Sequence, residues 1–244
     1  MRMDLLQRFA DLVGPADAAV PLFDASLLFA AALQDGDVWV EIQQARLEIE
    51  EAAHEACQGF EAPADIAEAV LSLLRRNHFT GNIEHYEDPR NSLMDRVIER
   101  RLGLPITLSV LAMHLCECCG VELFGVGFPG HFLVGLDLEG EAPRIWDPFR
   151  DGRAMSLDEL AGLYTSVVGH PVEADSPQLL AALAPSPSRL ILTRMLENLR
   201  RHYGKAGERE RVADTLELLA VLHPDVPRIR ELLAEQPGRR DLLN

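Results

Sequence analysis

The strongest constraint in this chain is the run from Asp88 to Arg150, where an apolar helical stretch is followed by two alternating segments. His131-Phe-Leu-Val-Gly-Leu-Asp-Leu138 alternates, Arg144-Ile-Trp-Asp147 alternates, and Leu138-Glu139-Gly140 is the natural turn between them. Three-residue hairpin loops commonly run a type I turn into a residue of positive φ, which Gly140 tolerates. A turn centred on Glu139 sets His131 directly opposite Asp147 and Leu133 opposite Ile145. The side-chain period of two places these four on one face and Phe132, Val134, Leu136 and Trp146 on the other. A slip of one residue separates the pair. In this arrangement the acid orients the imidazole and stabilises its charged form, as the third member of a catalytic triad does. A histidine satisfied by a carboxylate for purely structural reasons gives the same pattern.

Ahead of the hairpin, Gly103-Leu-Pro105 starts a helix with proline in the first-turn position it favours. The helix runs from Ile106 to Cys119, and Gly120 ends it. Ile106, Leu108, Val110, Leu111, Met113 and Leu115 make it apolar on nearly every side, so it is expected to be buried against the sheet. A helix amino terminus facing a His–Asp pair is the layout of cysteine acyl-transfer enzymes, in which dipole and histidine lower the thiol pKa. Here no cysteine lies between Cys57 and Cys116. Cys116, Cys118 and Cys119 come about ten or more residues after Pro105, roughly 15 Å or more along the helix, too far to serve that end. Thr107 and Ser109 are the remaining hydroxyls, and either needs His131 within hydrogen-bond reach to act as nucleophile. Mid-helix hydroxyls otherwise bond back to a carbonyl one turn earlier.

The run DPRNS…ERRLGLPITLSVL…GVGFPGHFLV…WDPF resembles the bacterial SirB-type transglutaminase-like family, closely from Phe79 to Phe149 and more loosely before it. That resemblance implies a papain-like core, in which a helix carrying the nucleophile packs on an antiparallel sheet carrying His and Asp; His131 and Asp147 fall at those positions. It also implies a tetratricopeptide segment at the carboxyl end. The catalytic pattern of such enzymes is Gly-x-Cys, and this chain has Gly103-Leu-Pro105 instead. A retained scaffold without its thiol is therefore expected.

With 244 residues, 48% of them hydrophobic, the chain can bury a sizeable core as one large domain or as a domain with an appendage. A net charge of −16 argues against nucleic acid or an anionic membrane surface as partner. The amino terminus has no basic region leading into an unbroken apolar run, and Asp24 interrupts Leu22–Leu33, so neither signal peptide nor membrane span is expected. Four cysteines, three of them crowded at 116–119, suit a reduced cytoplasmic protein. His114 with Cys118 shares a helix face, yet a structural zinc site needs four converging ligands and no second cluster is evident, so no metal or other cofactor is expected. Cys57 sits alone in the sequence, without an evident role.

From about Ala18 to Arg76 the periodicity is helical, with Ala25–Leu33 ended by Asp35-Gly36-Asp37 and a further amphipathic helix over Pro63–Leu74. Phe79–Ser92 is polar and turn-rich, either lining a site or serving as an ordered connection, and Asn91 or Ser92 is placed to cap the next helix. Phe124-Gly-Val-Gly-Phe-Pro-Gly130 joins strand to strand, so its glycines suit tight turning beside His131 better than a phosphate cradle. Ser156 with Glu159 forms a capping signature, and Pro171–Ser188 reads as a boundary with one short helix. After it, Leu196, Leu199, Tyr203, Val212, Leu216, Leu219 and Pro224 fit the spacing of one tetratricopeptide unit, followed by a short helix near Val226–Leu233. One repeat cannot bury its faces alone, so it should dock on the main domain or a second subunit.

The expectation is an α+β protein: a transglutaminase-like domain over residues 1–175 (helical region 1–78, core 79–170), then linker and tetratricopeptide-like helices over 176–244. The leading function is a non-catalytic, regulatory module that recognises a protein or peptide through His131, Asp147, Tyr86, Asn91 and Trp146, with homo-oligomerisation through the carboxyl-terminal helices. The alternative is an amide or ester acyl-transfer enzyme with Thr107 or Ser109 as nucleophile, His131 as base and Asp147 as orienter.

Overall fold

The structure, a computed structural model, describes residues 3–15, 19–36, 38–138 and 142–236. Four helices open the chain: α1 (Met3–Val13), α2 (Leu22–Ala32), α3 (Trp39–Cys57) and α4 (Pro63–Arg76). The short strand β1 (Thr80–Gly81) leads through a 3₁₀ turn at Pro89–Ser92 to α5 (Met94–Arg100), β2 (Leu102–Gly103) and α6 (Pro105–Cys118). Four strands follow, β3 (Phe124–Val126), β4 (Leu133–Leu136), β5 (Arg144–Trp146) and β6 (Ala154–Met155). The chain then runs through α7 (Leu157–Val168), α8 (Pro177–Ala182), α9 (Ser188–Ala206), α10 (Arg209–Leu222) and α11 (Pro227–Ala234). No helix among the described residues is long and apolar enough to cross a membrane.

Local chemistry explains most of these boundaries. Pro63 and Pro105 each begin a helix where a missing N–H costs nothing. Ile66, Ala67, Val70, Leu71 and Leu74 recur at helical spacing and form the buried stripe of α4. Ser156 accepts from the Glu159 amide at 3.2 Å while Glu159 Oε2 accepts from the Ser156 amide at 2.9 Å, closing the capping box of α7. One expected cap is absent. The N-cap of α5 is Leu93, without a side-chain bond; Asp88 caps the preceding 3₁₀ turn instead, accepting from the Arg90 amide at 3.0 Å. The break after α2 falls partly outside the described residues, which omit Asp37.

The sheet has the order β3-β4-β5-β6, antiparallel throughout, while β1 and β2 form a separate parallel pair. Phe132, Val134, Leu136 and Trp146 enter the large core with the helices, and Leu133, Ile145, Val126 and Phe128 enter a smaller core with Leu160 of α7 and Leu179 of α8. The two faces divide as alternation requires. The register does not follow the expected turn: Val134 pairs with Trp146, Gly135 with Ile145 and Leu136 with Arg144, so the strands sit two residues away from the Leu133–Ile145 pairing. A shift of two preserves every side chain's face, and only a shift of one exchanges them. The turn itself, with Glu139 and Gly140, lies outside the described residues.

Helix α6 is the centre of the large core. Leu108, Leu111 and Leu115 are at most 1% exposed, and each such leucine contributes roughly 1.5–3 kcal/mol through burial. The same core takes in Ile191, Leu192, Met195, Leu196 and Leu199 of α9 together with Phe9 of α1 and Phe29 of α2. Arg189 reinforces the junction, donating to the carbonyls of Val13 and Pro15 at 2.6 Å each and to that of Leu222 at 2.8 Å.

Candidate functional site

Two backbone turns set the geometry of the His–Asp pair. Strand β5 ends at Trp146, and the next residue, Asp147, turns the chain: its Oδ1 accepts from the Phe149 amide at 3.1 Å and its carbonyl accepts from the Gly152 amide at 2.9 Å. On the other side the His131 amide donates to the Phe128 carbonyl at 3.0 Å, a tight turn that runs through Gly130 at φ 68°. The result brings His131 Nε2 within 2.8 Å of Asp147 Oδ2, with both side chains almost fully buried. Contact is made from just beyond the strand ends rather than by the cross-strand pairing that alternation suggests. With the carboxylate as acceptor, the neutral ring carries its hydrogen on Nε2 and its lone pair on Nδ1. Nδ1 makes no hydrogen bond among the described residues. Phe149 meets the imidazole edge-on at a centroid distance of 5.7 Å, and Arg194 of α9 donates to the His131 carbonyl at 3.4 Å.

Among the described residues no thiol or hydroxyl hydrogen-bonds to the His131 ring. Pro105 occupies the first turn of α6. Thr107 Oγ1 accepts from the Leu104 amide at 2.9 Å and donates to the Asn91 carbonyl at 2.9 Å, so its hydroxyl is consumed in holding the helix start to the preceding loop. Ser109 Oγ is buried and makes no hydrogen bond among the described residues, to His131 or to anything else. The thiols cluster at the far end of the helix. Burial raises all three at 116–119, Cys118 to about 11 and Cys119 to about 12, so they stay protonated at neutral pH. Cys57 is not isolated: its thiol donates to the Ile66 carbonyl at 3.9 Å, and its nearness helps to raise the Cys119 thiol.

The three expected binding residues separate on inspection of their surroundings. Trp146 is 0% exposed and donates from Nε1 to Glu68 Oε1 at 2.9 Å, tying β5 to α4, so no ligand can touch it. Asn91 is likewise 0% exposed: Oδ1 accepts from Asn82 Nδ2 at 3.0 Å and Nδ2 donates to the His85 carbonyl at 2.8 Å. It braces the loop and does not face a ligand. Tyr86 is 41% exposed and stands at the rim of a cleft of about 720 Å³, lined also by Asn82, Ile83, His85, Arg90 and Arg100. Its ring meets Phe149 edge-on at 6.2 Å, so one aromatic ring links the cleft to His131.

Phe149 and Asp88 are the members of this region that motif reasoning missed. Phe149 lies two residues beyond Asp147, on the parity that follows it, and the Asp88–Arg90 pair sits within three residues. Burial pushes the Asp88 carboxyl up, but hydrogen bonds from Arg90 and the charge of Arg100 outweigh it and hold the group below the usual range. Its 3.2 Å contact with Arg100 Nη2 fastens the loop to α5.

Residues 43–197 match the family model described as the transglutaminase-like superfamily. A UPF0162 protein of Xylella fastidiosa (strain 9a5c) is 34% identical over 247 residues, which cover 97% of this chain and 85% of that protein. A UPF0162 protein of Vibrio cholerae is 36% identical over 119 residues, 48% of this chain and 43% of its own length. F-box only protein 21 of Homo sapiens is 30% identical over 161 residues, 60% of this chain and 23% of that protein.

Proposed function

The chain belongs to the transglutaminase-like superfamily, and from that premise we propose that it is a non-catalytic member whose cleft at Tyr86, one aromatic ring away from His131, binds a segment of protein or peptide. The observation that carries this reading is the state of Thr107. Its hydroxyl is spent on Leu104 and Asn91, Ser109 has no bond to the histidine, and proline fills the position a cysteine nucleophile takes. What survives of the enzyme layout is the His131–Asp147 pair, held rigidly and offering Nδ1 as an acceptor.

The cleft suits a peptide segment. Ile83 is 74% exposed and Tyr86 41%, giving an apolar anchor pair, while His85, Arg90 and Arg100 supply polar contacts around it. The recurrence of the matched stretch as a minor part of a much longer protein fits a module used for recognition. We further read the chain as the SirB-type branch and α9–α10 as one tetratricopeptide-type pair, since Leu196, Leu199, Tyr203, Leu216 and Leu219 are all buried at that unit's spacing.

A two-part experiment tests the proposal. Wild-type protein and His131→Ala are screened against amide, ester and transglutaminase substrates, and turnover is expected from neither. Turnover by wild type that vanishes in the variant establishes an acyl-transfer enzyme and overturns the proposal. In parallel, a random peptide-display library is selected on wild type, with enrichment expected and lost on an Ile83→Asp/Tyr86→Ala double variant.

A further inference from the structure

We propose that Glu50, His114 and Cys118 form a three-ligand site for a zinc-type divalent cation, with the fourth position open. This stands apart from the function proposed above. His114 and Cys118 are separated by one helical turn on α6 and project from one face. Glu50 comes from α3, which packs alongside, and supplies the donor that could not be anticipated from spacing on α6 alone. One ligand atom from each residue lies within 4.8 Å of the other two.

The His114–Cys118 distance already matches coordination. Cys118 Sγ is 3.6 Å from His114 Nε2. Tetrahedral zinc with ordinary Zn–N and Zn–S bonds separates nitrogen and sulfur by about 3.6 Å. Glu50 Oε1 lies 2.6 Å from the same nitrogen, a hydrogen-bond distance that must widen to about 3.4 Å around an ion. A rotation of the carboxylate achieves this, because Oε1 also accepts from Arg46 Nε at 2.7 Å while Oε2 takes no hydrogen bond among the described residues. Oε2 can turn to the ion while Oε1 keeps the arginine.

The surroundings support a cation. Phe23 stacks on the His114 ring at 3.8 Å with planes 7° apart, fixing the direction of its nitrogens. Arg46 is shared between Glu50 and Asp24, so two carboxylates and one guanidinium leave one negative charge. A Cys118 thiolate adds a second, and a divalent ion neutralises both. His114 also forms part of the wall of a cavity of about 410 Å³ bordered by Glu117 and Glu122. Coordination releases the thiol proton to solvent and needs the imidazole hydrogen on Nδ1. The donor set of nitrogen, sulfur and oxygen favours zinc over magnesium or calcium, and three protein ligands leave room for water.

Co²⁺ serves as the spectroscopic probe, titrated into the full-length reduced protein stripped of metal. One equivalent should bind with tetrahedral ligand-field bands and a thiolate-to-cobalt charge-transfer band, and Zn²⁺ should displace it. Cys118→Ser should abolish the charge-transfer band, and Glu50→Gln and His114→Gln should weaken binding by at least the roughly 10–100-fold that outer-shell substitutions cost. Cys116→Ser and His131→Ala should leave it unchanged. Absence of the bands, or a charge-transfer band that survives Cys118→Ser or disappears in Cys57→Ser/Cys119→Ser, overturns the assignment. X-ray absorption at the zinc edge of the wild-type complex gives a reading independent of variant folding: one sulfur neighbour supports the site, and none or two rules it out.

Discussion

Gly81 and Phe149 are joined twice. The Gly81 amide donates to the Phe149 carbonyl at 2.8 Å, and the phenyl ring fills the space where a side chain on residue 81 would stand, with Cε2 only 2.3 Å from an ideal Cβ. This close approach fixes the ring that separates His131 from the Tyr86 cleft.

Gly81→Ala therefore forces Phe149 off its rotamer. Overpacking of this kind costs about 1–3 kcal/mol. The expected result is a lower urea midpoint together with a shifted His131 ring resonance in the NMR spectrum, whereas Gly162→Ala, inside α7 with nothing within 4 Å, should raise the midpoint slightly and leave that resonance in place.

Thr107→Val should destabilise by about 1–2 kcal/mol, since it removes the side chain that reaches back to the helix cap and holds the Asn91 carbonyl. Thr107→Ser, which keeps the hydroxyl, should recover most of the loss. Denaturant unfolding of the three proteins checks this. Equal stability of wild type and Thr107→Val would show that the hydroxyl does not hold the helix start.

His131 and Asp147 should couple in a double-mutant cycle. Their bond is charge-assisted and shielded from solvent, conditions under which a coupling of about 2 kcal/mol is typical. Arg150, 3.6 Å from the carboxylate and largely exposed, compensates little when the imidazole is removed. Unfolding free energies of His131→Ala, Asp147→Ala and the double variant provide the test.

Asp95 makes an unusual pH prediction. Burial raises its carboxyl above the ordinary 3.8 despite the Gln34 amide bonded to Oδ2, and Oδ1 has no partner. The folded chain thus holds this proton more tightly than the unfolded one. Its stabilising contribution is complete below the unfolded value and is lost as pH rises through the higher folded value. Asp95→Asn should raise the unfolding midpoint at about pH 7 and leave it nearly unchanged at about pH 3.

Much of the sheet could be read from alternation alone. Period two assigned Phe132, Val134, Leu136 and Trp146 to one core and Leu133 with Ile145 to the other. The same period cannot fix the offset between strands, because a shift of two residues leaves every face intact, and the observed register differs by that amount. Helix α6, with its proline start and Gly120 beyond its end, was legible because caps are local. Burial of polar and aromatic side chains was not. Nothing in the neighbours of Asn91 or Trp146 indicates that Asn82 and Glu68 will absorb their polar groups, since those partners are set by tertiary packing. Glu50 escaped notice for the same reason, its helix being brought against α6 only by the fold.

The bonds that Arg189 makes to Val13, Pro15 and Leu222 bear on how this protein can be dissected. The family match begins inside α3 and stops inside α9, so an excised fragment with those limits loses α1, α2 and α10 and lays bare the leucine and phenylalanine surface they cover. The stretch that the family model matches is smaller than the unit of stability. Truncation at either limit should yield an aggregating species, and substitutions in the intact chain are the sound route to separating the roles of its parts.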